Sequence, residues 1–396
     1  MLRPFDSLPR RGRGPLWRDP AARALVFQVL LLIGLASVIG LLVHNTLQNL
    51  DARGINTGFD FLDNRAGFSI SQTLISYDGN STYGRTFVIG LLNTLLVSAL
   101  GIVAATIIGF TVGIARLSPN YLLAKLATVY VELFRNIPLL LQILFWYIAV
   151  IRSMPSPRQS LSLGDMVFLN GRGLFVPAPE PQTGFWFSVA ALLAGSVAAM
   201  LMARYNRQRQ SRTGRRLPMG WIIPALVLGL PVMVFLVSGS PLQWDVPALK
   251  GFNFSGGLTV LPELLALWIA LSIYTAAFIA EIVRSGIQSV PKGQTEAARA
   301  LSLPPRLTMN QVIIPQAMRV IIPQMTSQYL NLIKNSSLAT AIGYPDLVAV
   351  FAGTTLNQVG QSVEIMAMTM AVYLVLSLLV SLLMNIYNAR TALRER

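Results

Sequence analysis

Residues 24–43 form an uncharged, strongly apolar run. At about 20 residues it has the length an α-helix needs to cross the roughly 30 Å hydrocarbon core of a bilayer. Comparable runs recur along the chain. In hydrocarbon a backbone must satisfy its own hydrogen bonds, and for segments of this length only helices do so. The composition agrees, with 54% hydrophobic residues, 12% charged residues and a mean hydropathy of +0.58, values foreign to soluble domains. The pattern predicts an all-α integral membrane protein with about eight transmembrane helices.

The first span is 24–43, preceded by a basic stretch, 1–23, that carries Arg3, Arg10, Arg11, Arg13, Arg18 and Arg23. The run exceeds a usual signal-peptide core and lacks an A-x-A-like site after it, so it reads as an uncleaved span with a cytoplasmic N-terminus. A polar outer loop over 44–85 leads to a second span over 86–114. Residues 121–134 form an amphipathic lead-in to a third span over 137–151, with Pro138 bending the helix between them. Residues 152–259 read as an insertion with two spans, 185–202 and 221–237, joined by a segment that carries six arginines from Arg204 to Arg216. A sixth span covers 261–282, an interrupted seventh covers 320–350 and an eighth covers 365–386, before a short tail over 391–396.

Charge orients these spans. Of the 31 Lys and Arg residues, 22 fall in the segments this topology puts inside, seven in those it puts outside and two within spans. That bias is the positive-inside pattern, and it puts both termini in the cytoplasm. It also accounts for the net charge of +15 without nucleic acid, since no basic face is interleaved with aromatic residues. There is no Cys, and the single His, His44, stands at the outer end of an apolar run. Disulfide frameworks, His/Cys metal sites and hydrolytic triads are thereby excluded, and no catalytic or metal-ligating residues are expected.

Between two apolar segments lies a polar loop over 293–315, GQTEAARALSLPPRLTMNQVIIP. Pro291 and Gly293 end the preceding span, Thr295 is placed to cap a short helix, and Glu296 puts a negative charge in its first turn. Ala297, Ala298 and Ala300 keep that helix slim. Ser302 and the Pro304-Pro305 pair stop it, and Pro305 opens a second helix. The spacing from Glu296-Ala297-Ala298 through Ser302 to Val312-Ile313-Ile314-Pro315 resembles the "EAA" loop of bacterial ABC importer permeases, where Gly usually stands at the position of Ser302. VELFRNIPLLLQ, TLLVSALGIV and PQAMRVIIPQMTSQYLNLIKNSSLA are similar to the branch of that family that moves polar amino acids. The likeness covers 86–151 and 261–390. The outer stretch GFDFLDNRAGFSISQTLISYDGNSTY resembles the larger permeases of general or acidic amino-acid systems.

That resemblance implies a five-helix ABC type I importer core, with the N-terminal span and the two-span insertion added to it. Core spans over 86–151 and 260–390 would carry a cytoplasmic coupling loop, 283–318, in which Glu296, Ala297, Ala298, Leu301 and Ser302 engage an ATPase. The implied partners are cytoplasmic ABC ATPase subunits, a sister permease chain forming a heterodimer and a periplasmic amino-acid-binding protein, in a bacterial inner membrane. Implied substrates are polar L-amino acids such as glutamate, glutamine, aspartate and asparagine, or a broad range. ATP and Mg would belong to the partner ATPase, because this chain has no G-x-x-x-x-G-K-[ST] loop and binds no cofactor of its own.

In the seventh segment the apolar run is too short to cross before it meets Lys334-Asn335-Ser336-Ser337. An ammonium at that depth costs about 2.5–3.5 kcal/mol on insertion scales, so it avoids lipid. Thr326, Gln328, Asn331, Lys334, Asn335 and Ser336 are therefore candidates for the lining of a path. The alternative for Lys334 is snorkelling, or an internal ion pair with Glu132 or Glu281. Glu132 and Arg135 stand three apart before Asn136 and the bend, a spacing that favours an ion pair between them over a role in the path. Two other classes fit the apolar pattern: a secondary transporter or channel, for which the Glu296 loop is dispensable, and a membrane scaffold, for which the polar seventh segment is.

Overall fold

A computed structural model describes residues 20–52, 54, 57–214 and 217–391. The basic stretch expected over 1–23 (all but its last few residues), Arg215 and Arg216, and the tail beyond 391 lie outside the described residues.

The fold is helical, as the apolar runs require. Helix α1 covers Pro20–Ala52, α2 Tyr83–Ala115, α3 Tyr121–Asn136 and α4 Leu139–Leu144, which continues as a π-helical turn over Phe145–Ile151. Within the insertion, α5 spans Phe185–Thr213, while α6 (Met219–Pro224) and α7 (Leu230–Val237) are joined by a π-helical turn. Then come α8 (Pro262–Gln288), α9 (Lys292–Ala300), α10 (Pro305–Leu307), α11 (Ile314–Asn335), α12 (Leu356–Val359) and α13 (Ser362–Thr391). Among the described residues six helical segments are long and apolar enough to cross a membrane, or seven if α3 and α4 count as one span. The segment not included is α11, whose polar residues lower its hydropathy.

Helix α8 is the centre of the bundle, with 67% of its apolar window buried. Its partner is α2, and small residues set their separation. A Cβ on Gly109 would lie 2.6 Å from Ile279 Cβ, and one on Gly113 would lie 2.8 Å from the Ala280 carbonyl oxygen. Without a solvent-driven hydrophobic effect between helices in lipid, such close approach is how they gain packing energy. Helix α1 is the opposite case. None of its apolar window is buried, so its outer surface is left for lipid or another chain.

Two expectations change in detail. Pro138 does more than bend the third span, since α3 and α4 meet at 104°. The side chain of Gln142 bridges the break, donating from Nε2 to the carbonyls of Phe134 (3.0 Å) and Ile137 (2.9 Å), which the proline turn leaves unpaired. The outer loops of the insertion are also not irregular. Strands β1 (Leu161–Leu163), β2 (Val167–Asn170), β3 (Gly173–Val176) and β8 (Leu258–Val260) form one antiparallel sheet, in which Leu174 pairs with Val260. Strands β4 (Ala178–Pro181) and β5 (Leu242–Asp245) form a ribbon, as do β6 (Ala248–Lys250) and β7 (Asn253–Ser255). The β3–β8 pairing brings the two ends of the insertion together above the core. Helix α5 packs on the α6–α7 pair, close enough that a Cβ on Gly195 would meet the Leu226 carbonyl oxygen at 2.0 Å.

Candidate functional site

The polar loop folds as the helical elbow its prolines dictate, with one correction. Helix α9 starts at Lys292, with Pro291 as its N-cap residue, so Thr295 is inside the helix and not its cap. Glu296 consequently lies beyond the first turn, where no acidic residue is found. Pro291 is extended, with ψ = 136°, and the helix is already under way three residues before Thr295, whose capping chemistry goes unused. Of the candidate coupling residues, Glu296, Ala297, Leu301 and Ser302 are exposed and Ala298 is buried beneath them. Leu301 is 75% exposed, a large apolar side chain at the tip of the elbow. Ser302 has φ = +54°, the left-handed region that favours glycine, where an L-residue is strained by about 1–2 kcal/mol. The chain then turns through Pro304, and Thr308 is buried with its hydroxyl on the Pro304 carbonyl at 3.3 Å. From Pro305 onwards α10, a π-helical turn over Thr308–Ile313 and α11 follow one another as continuous helix.

Helix α11 is two-sided. Ile321, Ile322, Met325, Leu332 and Ile333 are buried against the bundle. Gln324, Ser327, Gln328, Asn331, Lys334 and Asn335 recur at spacings of three and four on the opposite side, exposed or half-buried. Thr326 falls off this stripe and donates to the Ile322 carbonyl at 3.1 Å. Ser336 is fully buried, with Oγ donating to the Ile333 carbonyl at 2.7 Å, so it does not face the open side. At Ser336 the helix tightens into a 3-10 turn over Ser336–Ile342, ending at Gly343 with φ = +75°. The interruption falls where the polar residues predict it.

The turn beyond is clamped by side chains that sequence reasoning missed. Tyr344 is fully buried and donates to the Asn93 carbonyl at 3.1 Å. Asn93 in turn donates to the carbonyls of Pro345 (2.9 Å) and Gln72 (3.0 Å), and the Leu347 amide donates to Thr94 Oγ1 at 3.0 Å. Buried Asp346 accepts from the Ala349 amide at 2.9 Å, capping the helical segment that follows. The one sequence signal for this clamp was an isolated carboxylate inside an apolar run.

The charges around Glu281 pair differently from the spacing rule. Arg135 does not join Glu132. Its Nη1 lies 3.9 Å from Glu281 Oε2, and its guanidinium sits over the Phe278 ring at 5.2 Å. Glu132 is exposed, and among the described residues it makes no ion pair; Asn136 donates to its backbone carbonyl at 2.7 Å. The i,i+3 spacing permits that pair, but Arg135 is drawn instead to the Glu281 carboxylate and the Phe278 ring, both on α8. Glu281 also accepts from Arg116 and, at 2.5 Å, from Arg284. The internal pair considered for Lys334 therefore does not form with either Glu132 or Glu281, and Lys334 is exposed. Arg135, Phe278, Glu281 and Ser285 line a cavity of about 330 Å³ with Gln324, Ser327 and Gln328 of the α11 stripe. The structure thus joins Arg135 and Gln328 at one opening. Among the described residues no cluster of potential metal ligands exists.

Comparison with known proteins bears on this geometry. The sequence profile of the family described as "Binding-protein-dependent transport system inner membrane component" matches residues 191–393. YhdX of Escherichia coli K12, whose assigned name is that of an amino-acid ABC transporter permease, is 57% identical over 96% of each chain. The general L-amino acid transport system permease protein AapQ of Rhizobium johnstonii is 51% identical over 99% of this chain and 98% of its own. The glutamate/glutamine/aspartate/asparagine transport system permease protein BztB of Rhodobacter capsulatus is 44% identical over 96% of each.

Proposed function

Because the chain belongs to the family of binding-protein-dependent transport system inner membrane components, we propose that it is the permease subunit of an ATP-driven importer of polar L-amino acids. The observation that carries this reading is one continuous helical stretch. It begins at Pro305, directly after the exposed elbow of α9 and Ser302, and runs through α10 into the polar stripe of α11. A rigid helix that joins a cytoplasmic docking point to an amphipathic, unpartnered face in the membrane suits a part that turns motion at one end into rearrangement at the other.

The roles divide along that stretch. Glu296, Ala297, Leu301 and Ser302 present the surface that an ATPase grips, and buried Ala298 lets the elbow pack close to its own base. Asn331, Lys334, Asn335 and Gln328 face a second permease chain across the path, where their polarity meets water and substrate and not lipid. Lys334, free of an internal carboxylate, is available to a substrate carboxylate. A sister permease, two ATPase subunits that bind ATP and Mg, and a periplasmic binding protein complete the assembly. This chain supplies no hydrolytic chemistry. Both termini lie in the cytoplasm, and 152–259 is an accessory insertion on a five-helix core. The substrate range covers glutamate, glutamine, aspartate and asparagine, as the name of BztB suggests, or a broader set of L-amino acids, as the name of AapQ does.

Replacing Glu296 with Lys tests the coupling surface. Uptake in a strain that depends on this chain is expected to fall to background, with the permease still at its normal level in the membrane. Normal uptake by that variant would overturn the assignment of the loop.

A further inference from the structure

The C-terminal ends of α2 and α3 meet at one carboxylate near the C-terminal end of α8, and its three cationic partners are not equivalent. Glu281 Oε2 accepts from Arg116 at the end of α2, and Oε1 accepts from Arg284 Nη2 at 2.5 Å and Nε at 3.2 Å. Both oxygens are used by α2 and by α8 itself. Arg135, in the last turn of α3, reaches Oε2 only at 3.9 Å, beyond hydrogen-bond range. Its side chain is 37% exposed against 10% for Arg116. Its other support is the face of Phe278, also on α8. Helices α2 and α8 are further locked by the close approach at Gly109 and Gly113, whereas α3 is tied to α8 through Tyr130, which donates to the Ile273 carbonyl at 2.8 Å, and its Arg135 end borders the cavity that separates it from α11. The cluster is therefore one tight link between α2 and α8, with one loose arm to α3.

We propose that Arg135 is a positioning residue for coupling, a releasable latch that registers α3 against the α2–α8 pair and is broken and remade as the inner cavity opens and closes. This rests on the permease reading. Helix α8 runs unbroken from Glu281 to Gln288, and α9 follows after a turn at Pro291. Displacement of α9 by a partner therefore moves Glu281, and Arg116 moves with it. The motion is taken up at the α3 arm. A long, partly exposed ion pair and a cation–π contact are each weak, and a latch requires that, because a strong link would hold a single state.

The chain has no cysteine, so spin labels can be attached at introduced sites alone. Glu132→Cys with Ser289→Cys, both at exposed positions, reports the α3–α8 distance. Ile114→Cys with Ser289→Cys reports α2–α8. Pulsed electron–electron double resonance is measured on the complete transporter complex in lipid nanodiscs, without nucleotide and with a non-hydrolysable ATP analogue. The expected result is two α3–α8 populations whose ratio changes with nucleotide, alongside a single α2–α8 distance. Arg135→Gln should shift that ratio about twofold to fivefold towards separation, the weight of one partly exposed ion pair. It should also lower the substrate moved per ATP hydrolysed. Arg135→Lys, which keeps the charge, should recover part of both, and it serves as the readout if the Gln variant fails to assemble. An α3–α8 distance that ignores nucleotide, or wild-type transport per ATP in Arg135→Gln, overturns the latch. A wild-type chain that purifies with no ATPase at all would instead overturn the permease reading itself.

Discussion

The α2–α8 contact makes a sharp prediction, because two glycines there stand against atoms that cannot swing away. A methyl group on Gly109 would lie 2.6 Å from Ile279 Cβ and Cγ2, and one on Gly113 would lie 2.8 Å from both the Ala280 carbonyl oxygen and Val283 Cβ. Ordinary carbon contacts lie at about 3.5–4.0 Å, so Gly109→Ala with Gly113→Ala must force the helices apart by about 1 Å. Overpacking of this kind costs about 1–3 kcal/mol per site. Against it stands the better helix propensity of alanine, about 0.5–1 kcal/mol per site. The net effect on the pair is then a loss of about 0–5 kcal/mol, against a gain of about 1–2 kcal/mol where nothing is overpacked. The control is the same double change at Gly34 and Gly40 in α1, which have nothing within 4 Å and so retain only the propensity gain. Thermal melting of the purified complex, followed by size-exclusion chromatography, compares them directly. If the Gly109/Gly113 variant melts at or above the temperature of the Gly34/Gly40 variant, the argument for close α2–α8 packing fails.

Three further outcomes follow from single side chains. Lys334→Met removes a charge-assisted contact worth about 1.5–3 kcal/mol and should raise the apparent KM for uptake about tenfold or more; unchanged kinetics would make Lys334 structural. Ser302→Gly relieves the positive φ at the elbow and should raise the melting temperature with transport retained, whereas Ser302→Val should lower both; a Gly variant that melts lower would contradict the backbone strain. Asn93→Leu leaves the Gln72 and Pro345 carbonyls without their donor at about 1–3 kcal/mol each, so limited proteolysis should cut near residue 345 more quickly. Wild-type resistance would show that the clamp carries no weight.

Local rules worked well where a segment's own chemistry decided its structure. A long uncharged run has no alternative to helix in lipid, so α2, α5, α8 and α13 appear within a few residues of their expected limits, apart from the polar extensions of α5 and α8. The break at Ser336 was legible for the same reason, since an ammonium and amides cannot continue a lipid-facing helix. The elbow at Ser302 was legible from its prolines. Pairwise rules failed where two or more elements compete for a group. Spacing alone matched Arg135 with Glu132, but the half-buried carboxylate that α8 holds among three helices draws it away. Thr295 is a good cap in isolation and lost to Pro291 one turn earlier. Asn93 and Tyr344 carried no local signal because each bonds a group about 250 residues away, and the carbonyls that Gln142 satisfies are freed only by how sharply α3 turns into α4.

The sequence by itself determined that this is a helical membrane protein, which segments are long and apolar enough to cross a bilayer, where the polar elbow falls and which helix carries a polar stripe. Each of these follows from the solvation of a contiguous stretch of chain. Only the tertiary structure decided which stripe residues are open, that Ser336 is not among them, and that Glu281 ties three helix ends together. Those outcomes depend on how closely backbones approach, which is set at once by glycines in α2, side chains in α8 and the 104° turn between α3 and α4. No one stretch of sequence contains them.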